Sequence, residues 1–328
     1  CSQKQGSDNP LLQTWDTPFE TAPFEKIKVE HYLPAFEAAM AEHDKEIQAI
    51  IDNAEAPTFD NTIAALDYSG QTLTKVAGVF YNMMAANTSE ELQKVNEQIG
   101  PMMATHSDNV SMNAKLFEKI KAVYDAKDSQ KYTGEQLALL EKTYKQFVRS
   151  GALLDAEKQA ELREVNAALT KVEATFDANL LKETKSYQLV IDNQENLKGL
   201  PQGEIEKAAA LAKQEGKEGK WIFTLDNPSF IPFVTYADNR DLRKEIFNAR
   251  VNRCNNGGET DNNELVAQMA ELRAKKAQLL GYETFAHYQL EERMAKEPKA
   301  VFDLLENLLT YSVKVAKEEA KEFQALLS

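Results

Sequence analysis

From Leu33 the residues Leu33, Phe36, Met40, His43, Ile47 and Ile50 recur at intervals of three and four, the spacing that aligns side chains on one face of an α-helix. Pro34 is compatible with this helix because it falls in the first turn, where its missing N–H has no helical partner to lose. A second series, Ile63, Leu66, Gly70, Leu73, Ala77, Phe80 and Met84, alternates three and four without a break. It predicts one continuous helix lying lengthwise on a neighbour, with Gly70 and Ala77 allowing close approach. A third seam runs through Leu162, Val165, Leu169, Val172 and Phe176. Thr88 with Glu91 and Thr133 with Gln136 have capping-box spacing, and Asp155 suits an N-cap, so helices are expected to start near 89, 134 and 156.

The helical period lapses twice. Residues 187–191 and 221–225 have the composition of short strands, and Gly199, Pro201, Gly216 and Gly219 punctuate a helix between them. Gly257-Gly258 is expected to end a helix, and Asp261 with Glu264 to start another. From Pro298 an amphipathic run passes Val301, Leu304, Leu305, Leu308 and Val315 and continues to Leu327 without a Gly or Pro stop. The pattern predicts a predominantly all-α chain with one minor β element. Residues 1–9 read as a flexible polar tether and 10–328 as one helical lobe, any subdivision falling near 186–220.

Composition narrows the function classes. Asp and Glu outnumber Lys and Arg by 52 to 38, a formal charge of -14, so the summed field repels phosphate backbones and excludes nucleic acid as a partner. No apolar run approaches the ~20 residues of a membrane-spanning helix. Only Cys1 and Cys254 are present, too few for a disulfide framework. Cys1 followed by the polar stretch Ser2–Asn9 fits a bacterial lipoprotein after signal-peptide removal, with lipid on Cys1. That reading expects the cell envelope or periplasm; the alternative is an unanchored cytoplasmic protein.

A catalytic zinc site needs three side-chain ligands and an open position, and His-Glu-x-x-His supplies two imidazoles one helical turn apart. The histidines are His31, His43, His106 and His287, and no two stand four apart. His43 lies on an apolar seam and reads as a core histidine bonded to a neighbour; His31, beside Glu30 at a helix start, reads as a packing or capping residue. His287 has Glu291 one turn later, which reads as a weak surface pair. The loop 255–263 is rich in oxygens but lacks the EF-hand order, so helix breaking and capping account for it. Arg250 and Arg253 could lower the thiol pKa of Cys254, yet a helical, packed cysteine is expected to be inert. There is no Gly-x-Ser-x-Gly elbow, Walker loop or dinucleotide fingerprint. The sequence therefore offers no catalytic and no metal-binding residue, and carboxylate pairs discriminate nothing in so acidic a chain.

Four blocks carry a resemblance: Trp221-Ile-Phe-Thr-Leu-Asp-Asn-Pro-Ser229, Tyr236-Ala-Asp-Asn-Arg-Asp-Leu-Arg243, Leu279-Leu-Gly-Tyr-Glu-Thr-Phe-Ala286 and Met294-Ala-Lys-Glu-Pro-Lys-Ala-Val301. In this order they resemble the zinc oligopeptidases related to thimet oligopeptidase, neurolysin and oligopeptidase A. Asn179-Leu-Leu-Lys-Glu-Thr184 extends the match, as do Asn9-Pro-Leu-Leu12, Thr17-Pro-Phe19 and Lys28-Val-Glu-His-Tyr-Leu-Pro34. Gln289-Leu-Glu-Glu-Arg-Met-Ala295 is most similar to the bacterial peptidyl-dipeptidase branch.

The resemblance implies the N-terminal lobe of a two-lobed, nearly all-helical metallopeptidase. Such enzymes bind short peptides in a deep channel and use zinc to release C-terminal dipeptides. It also implies that the metal motif would lie beyond Ser328 and that these residues alone bind no catalytic zinc and hydrolyse nothing. The competing expectation is a non-enzymatic helical lipoprotein that binds peptides or a partner protein.

Overall fold

Residues 8–327 are described by the computed structural model, and the chain is 71% helical. The helices are α1 (Tyr32–Asp52), α2 (Ala65–Tyr68), α3 (Gln71–Ala86), α4 (Glu90–Ser111), α5 (Ala114–Asp125), α6 (Gly134–Arg149) and α7 (Ala156–Ser186). They continue as α8 (Gln202–Gln214), α9 (Asn227–Tyr236), α10 (Arg240–Val251), α11 (Asn263–Leu279), α12 (Phe285–Leu290) and α13 (Pro298–Leu327). Strands β1 (Leu189–Ile191) and β2 (Trp221–Phe223) pair antiparallel, Val190 opposite Ile222. This is the predominantly all-α architecture and the small β element that the hydrophobic pattern predicts. Contacts divide the chain into two units. The first holds the stretch up to Thr88, Pro101–Ala168 and the stretch from Glu271 onward; the second holds Ser89–Gly100 and Leu169–Ala270.

In the first unit, Ile47 and Ile50 of α1 meet Ile63, Leu116, Phe117, Ile120, Leu140 and Phe147 in one buried cluster. Tyr32 and Phe36 of α1 meet Phe80 of α3 edge-on at 5.0 and 5.5 Å between ring centres, a favoured aromatic geometry. The residues ahead of α1 are part of this unit: Leu11 is fully buried, and the Asn9 side chain donates to the His31 carbonyl while accepting from the Leu11 amide. Lys75 of α3 donates to the Gln13 carbonyl and sits 5.0 Å from the Trp15 ring centre. Asn9, the last residue of the expected tether, is part of this unit; residues 1–7, Cys1 among them, lie outside the described residues.

In the second unit, the inward residues of the strands, Leu189, Ile191 and Phe223, pack with Leu197, Leu225, Phe233 and Ile246. Gly199 is at φ +85°, and a Cβ there would stand 2.1 Å from the Tyr236 carbonyl oxygen and 2.6 Å from Asp238 Oδ1. Only glycine lets the chain come so close to the 236–238 corner, which is fastened by the Asp238 amide donating to the Lys198 carbonyl at 2.8 Å.

Several local expectations shift. The seam from Ile63 to Met84 is not one helix: a π-turn (Phe59–Ala64) and α2 end at Ser69, and Gly70, at φ +70°, opens α3. The ring of His43 lies where a Gly70 Cβ would otherwise point, 3.2 Å away. The cap of α4 is Ser89, whose hydroxyl accepts from the Leu92 amide, one residue after Thr88. Thr133 with Gln136 forms the expected box, and Asp155 caps α7 through the Lys158 amide. Before α11 the Asn262 carbonyl accepts the first helical bond, from Val266, one residue after Asp261. Finally, α10 stops at Val251, ahead of Gly257-Gly258, and Cys254 lies in the following turn, at φ +56°.

Candidate functional site

Asn179–Thr184, Leu279–Ala286 and Gln289–Ala295, three of the segments that carry the resemblance, fall in two polar clusters, one in each unit. In the second unit Glu183, near the end of α7, organises the loop after α10. Its carboxylate accepts from the Cys254 amide at 2.9 Å, the Thr260 hydroxyl at 2.7 Å and the Asn256 side chain at 2.6 Å. Burial raises the Glu183 carboxyl, but these bonds outweigh it and hold it below the usual carboxylate range. Its neighbour Thr184 accepts from Arg253, and Asn179 donates to Asn262. Asp261 accepts from the Asn256, Gly257 and Asn263 amides, so the loop's oxygens are occupied by its own backbone. Burial pushes the Cys254 thiol up to about 11, reinforced by Glu183, so the thiolate needed for nucleophilic chemistry is suppressed. Arg250, a candidate for activating that thiol, is turned to the Leu225 carbonyl, the Asn227 side chain and the Phe230 ring.

In the first unit the Leu279–Ala286 and Gln289–Ala295 blocks converge on Arg149 at the end of α6. Arg149 donates to the Glu291 carboxylate, the Tyr282 hydroxyl and the Tyr288 carbonyl, and its guanidinium lies 4.3 Å from the Tyr288 ring centre. Tyr282 donates to Glu291 at 2.7 Å, and Lys145 pairs with both Glu291 and Glu292. Burial raises Glu291, yet the bonds from Tyr282 and Arg149 hold it low; burial and the Glu291 bond push Tyr282 up to about 12. Glu291 therefore serves Arg149 and not His287, whose ring meets Thr284 at 2.9 Å and Glu283 at 3.6 Å. Arginine was missed in sequence because Glu291 lies 142 residues away, and no local spacing signals it.

The histidines do not assemble a zinc site. His31 accepts from the Lys28 amide as a cap, whereas His43 and His106 face each other at 2.9 Å. Among the described residues no group of three or more His, Cys, Asp or Glu is placed to hold a metal. A catalytic zinc needs such a set, so the described residues do not fit one.

"Neurolysin/Thimet oligopeptidase, N-terminal domain" matches residues 36–159, and "Peptidase family M3" matches 233–328. The Escherichia coli dipeptidyl carboxypeptidase is 32% identical over 97% of this chain and 47% of its own length. Oligopeptidase A of Haemophilus influenzae is 28% identical over 96% of this chain and 46% of its own, and that of E. coli 29% identical over 97% and 46%. The chain belongs to the M3 peptidase family. It spans about half the length of the curated M3 relatives it matches. Within the M3 match lies α13, thirty residues with no buried side chain, whose Phe302, Leu305 and Leu309 are 61, 52 and 60% exposed.

Proposed function

We propose that this chain is the N-terminal part of a peptidyl-dipeptidase-like zinc metallopeptidase, contributing framework and substrate enclosure while the metal ligands and general base come from a following region. In the whole enzyme, zinc would activate water for attack on a peptide carbonyl and two C-terminal residues would leave together. The observation that carries the reading is coverage: the alignment takes in 96–97% of this chain but only 46–47% of the relatives, and these residues hold no His-Glu-x-x-His.

The uncovered apolar face of α13 supports it. Each large side chain left in water forgoes about 1.5–3 kcal/mol of burial, a cost that a following region of the peptidase would relieve. Equilibrium dialysis tests the reading: the 328 residues alone should retain no stoichiometric zinc and should bind a hydrophobic dye. Tight one-to-one zinc binding, or a dye-silent surface, contradicts it and favours a self-contained binding module. Lipid on Cys1, with location in the cell envelope, is a separate proposal carried by the residue type and the polar Ser2–Asn9 stretch. An intact mass of native protein without acyl chains refutes it.

A further inference from the structure

Two rings from distant parts of the sequence meet inside the first unit. Nδ1 of His43 on α1 lies 2.9 Å from Nε2 of His106 on α4, and Nε2 of His43 lies 3.1 Å from the Ser69 hydroxyl. The Ser69 hydroxyl spends its one proton on the Leu66 carbonyl, 2.7 Å away. It must therefore accept from His43, which fixes the ring proton of His43 on Nε2 and leaves Nδ1 as an acceptor. His106 then donates from Nε2, and its other nitrogen lies 3.4 Å from the Asp44 carboxylate. The His43–His106 and His43–Ser69 contacts are both satisfied when His43 carries a single proton, on Nε2.

A second proton on His43 breaks this arrangement. It would place the Nδ1–H of His43 against the Nε2–H of His106 across 2.9 Å, turning a hydrogen bond into a donor–donor repulsion. His106 is 8% exposed, so water cannot easily relieve it. The charged groups acting on His43 are His106 of α4 and Glu46 and Asp44 of α1, and burial together with the His106 charge outweighs the two carboxylates to lower its pKa. From the α2–α3 side it meets the neutral Ser69 and Gly70. The same ring sits under Gly70, whose amide donates to Glu46 at 2.7 Å.

We propose that the His43–His106 pair is a proton-operated latch that holds the Ser69–Gly70 break closed at neutral pH and releases it on acidification. The sign follows from linkage. With the folded pKa of His43 below its open-state value near 6.5, the open form takes up a proton first. The closed form is then favoured above that pH, and its excess falls by up to about tenfold per pH unit as pH drops below it.

The test is amide hydrogen exchange of the full chain across pH 5 to 8, corrected for intrinsic rates. Protection of the Gly70 amide, held by Glu46, and of the Thr74 amide, held by the Gly70 carbonyl, should fall as His43 titrates, while α5 and α6 keep theirs, and His43→Gln should remove the pH dependence. The same fall in the variant, or a pH-independent protection in the parent, overturns the latch. Should His43→Gln fail to fold, nitrogen–proton correlation spectra of the parent decide. They should show His43 with its single proton on Nε2 at neutral pH, and a proton on its Nδ1 overturns the proposal.

Discussion

Replacing Gly199 with alanine tests whether the 199/236–238 corner is a close-packed feature of the second unit. The left-handed φ of +85° alone costs an L-residue about 1–2 kcal/mol. The new methyl would also stand 2.1 Å from a backbone oxygen, nearly 1 Å inside any tolerated contact. Relief requires moving the corner, which breaks the Asp238–Lys198 backbone bond, about 1 kcal/mol. It also disturbs the packing around Ala237, 2% exposed, for a further 1–3 kcal/mol or so. The expected loss is about 3–6 kcal/mol.

The control is Gly78→Ala. Gly78 lies inside α3 with nothing within 4 Å of its would-be Cβ, and alanine should there gain about 0.5–1 kcal/mol. Trp15 and Trp221, the two tryptophans, fall one in each unit, so urea unfolding reads Gly199→Ala of the second unit in a Trp15→Phe background and Gly78→Ala of the first unit in a Trp221→Phe background. A Gly199→Ala loss below about 1 kcal/mol, or the same sign of effect at both glycines, refutes the reasoning.

Tyr187→Phe should be neutral or stabilise by up to about 1 kcal/mol by urea unfolding, since its buried hydroxyl has no partner among the described residues. Glu183→Gln should cost about 1–3 kcal/mol, because an amide oxygen cannot replace both carboxylate oxygens toward Cys254, Thr260 and Asn256. Glu183 and Glu291 are both held below their ordinary 4.5. Their stabilisation is therefore present above that pH and lost as pH falls through the folded values, and an acid titration of each unit should show less loss below pH 4.5 in Glu183→Gln than in the parent. Leu305→Ser with Leu309→Ser should leave the unfolding midpoint of the chain nearly unchanged, as both are exposed on α13, while lowering hydrophobic-dye binding.

Elements governed by local chemistry were legible in the sequence. The Thr133 box, the Asp155 cap, the strand pair at 187–191 and 221–225 and the amphipathic α13 all follow from spacing within a turn or two. The break at Gly70 was not, because the apolar period continues through it, and only the His43 ring above the glycine explains its conformation. His43 was read as a bonded core histidine, but its partner lies 63 residues away, and so its proton bookkeeping was invisible. Glu291 was assigned to His287 by helical spacing, whereas Arg149, Lys145 and Tyr282 offer it stronger charge-assisted bonds. The residues of the recognised blocks are thus visible as a pattern in sequence, and their work in holding the Glu183 loop and the Arg149 cluster emerges only from contacts across the fold.

We propose that these residues build part of an M3 peptidase and do not themselves cut peptides. Mass spectrometry of a short, N-terminally blocked peptide incubated with zinc measures this directly. The chain alone should release no C-terminal dipeptide, and a protein in which the same chain continues into an M3 region bearing His-Glu-x-x-His should release it. Dipeptide release by the 328 residues alone, lost on chelation and restored by zinc, would contradict the account.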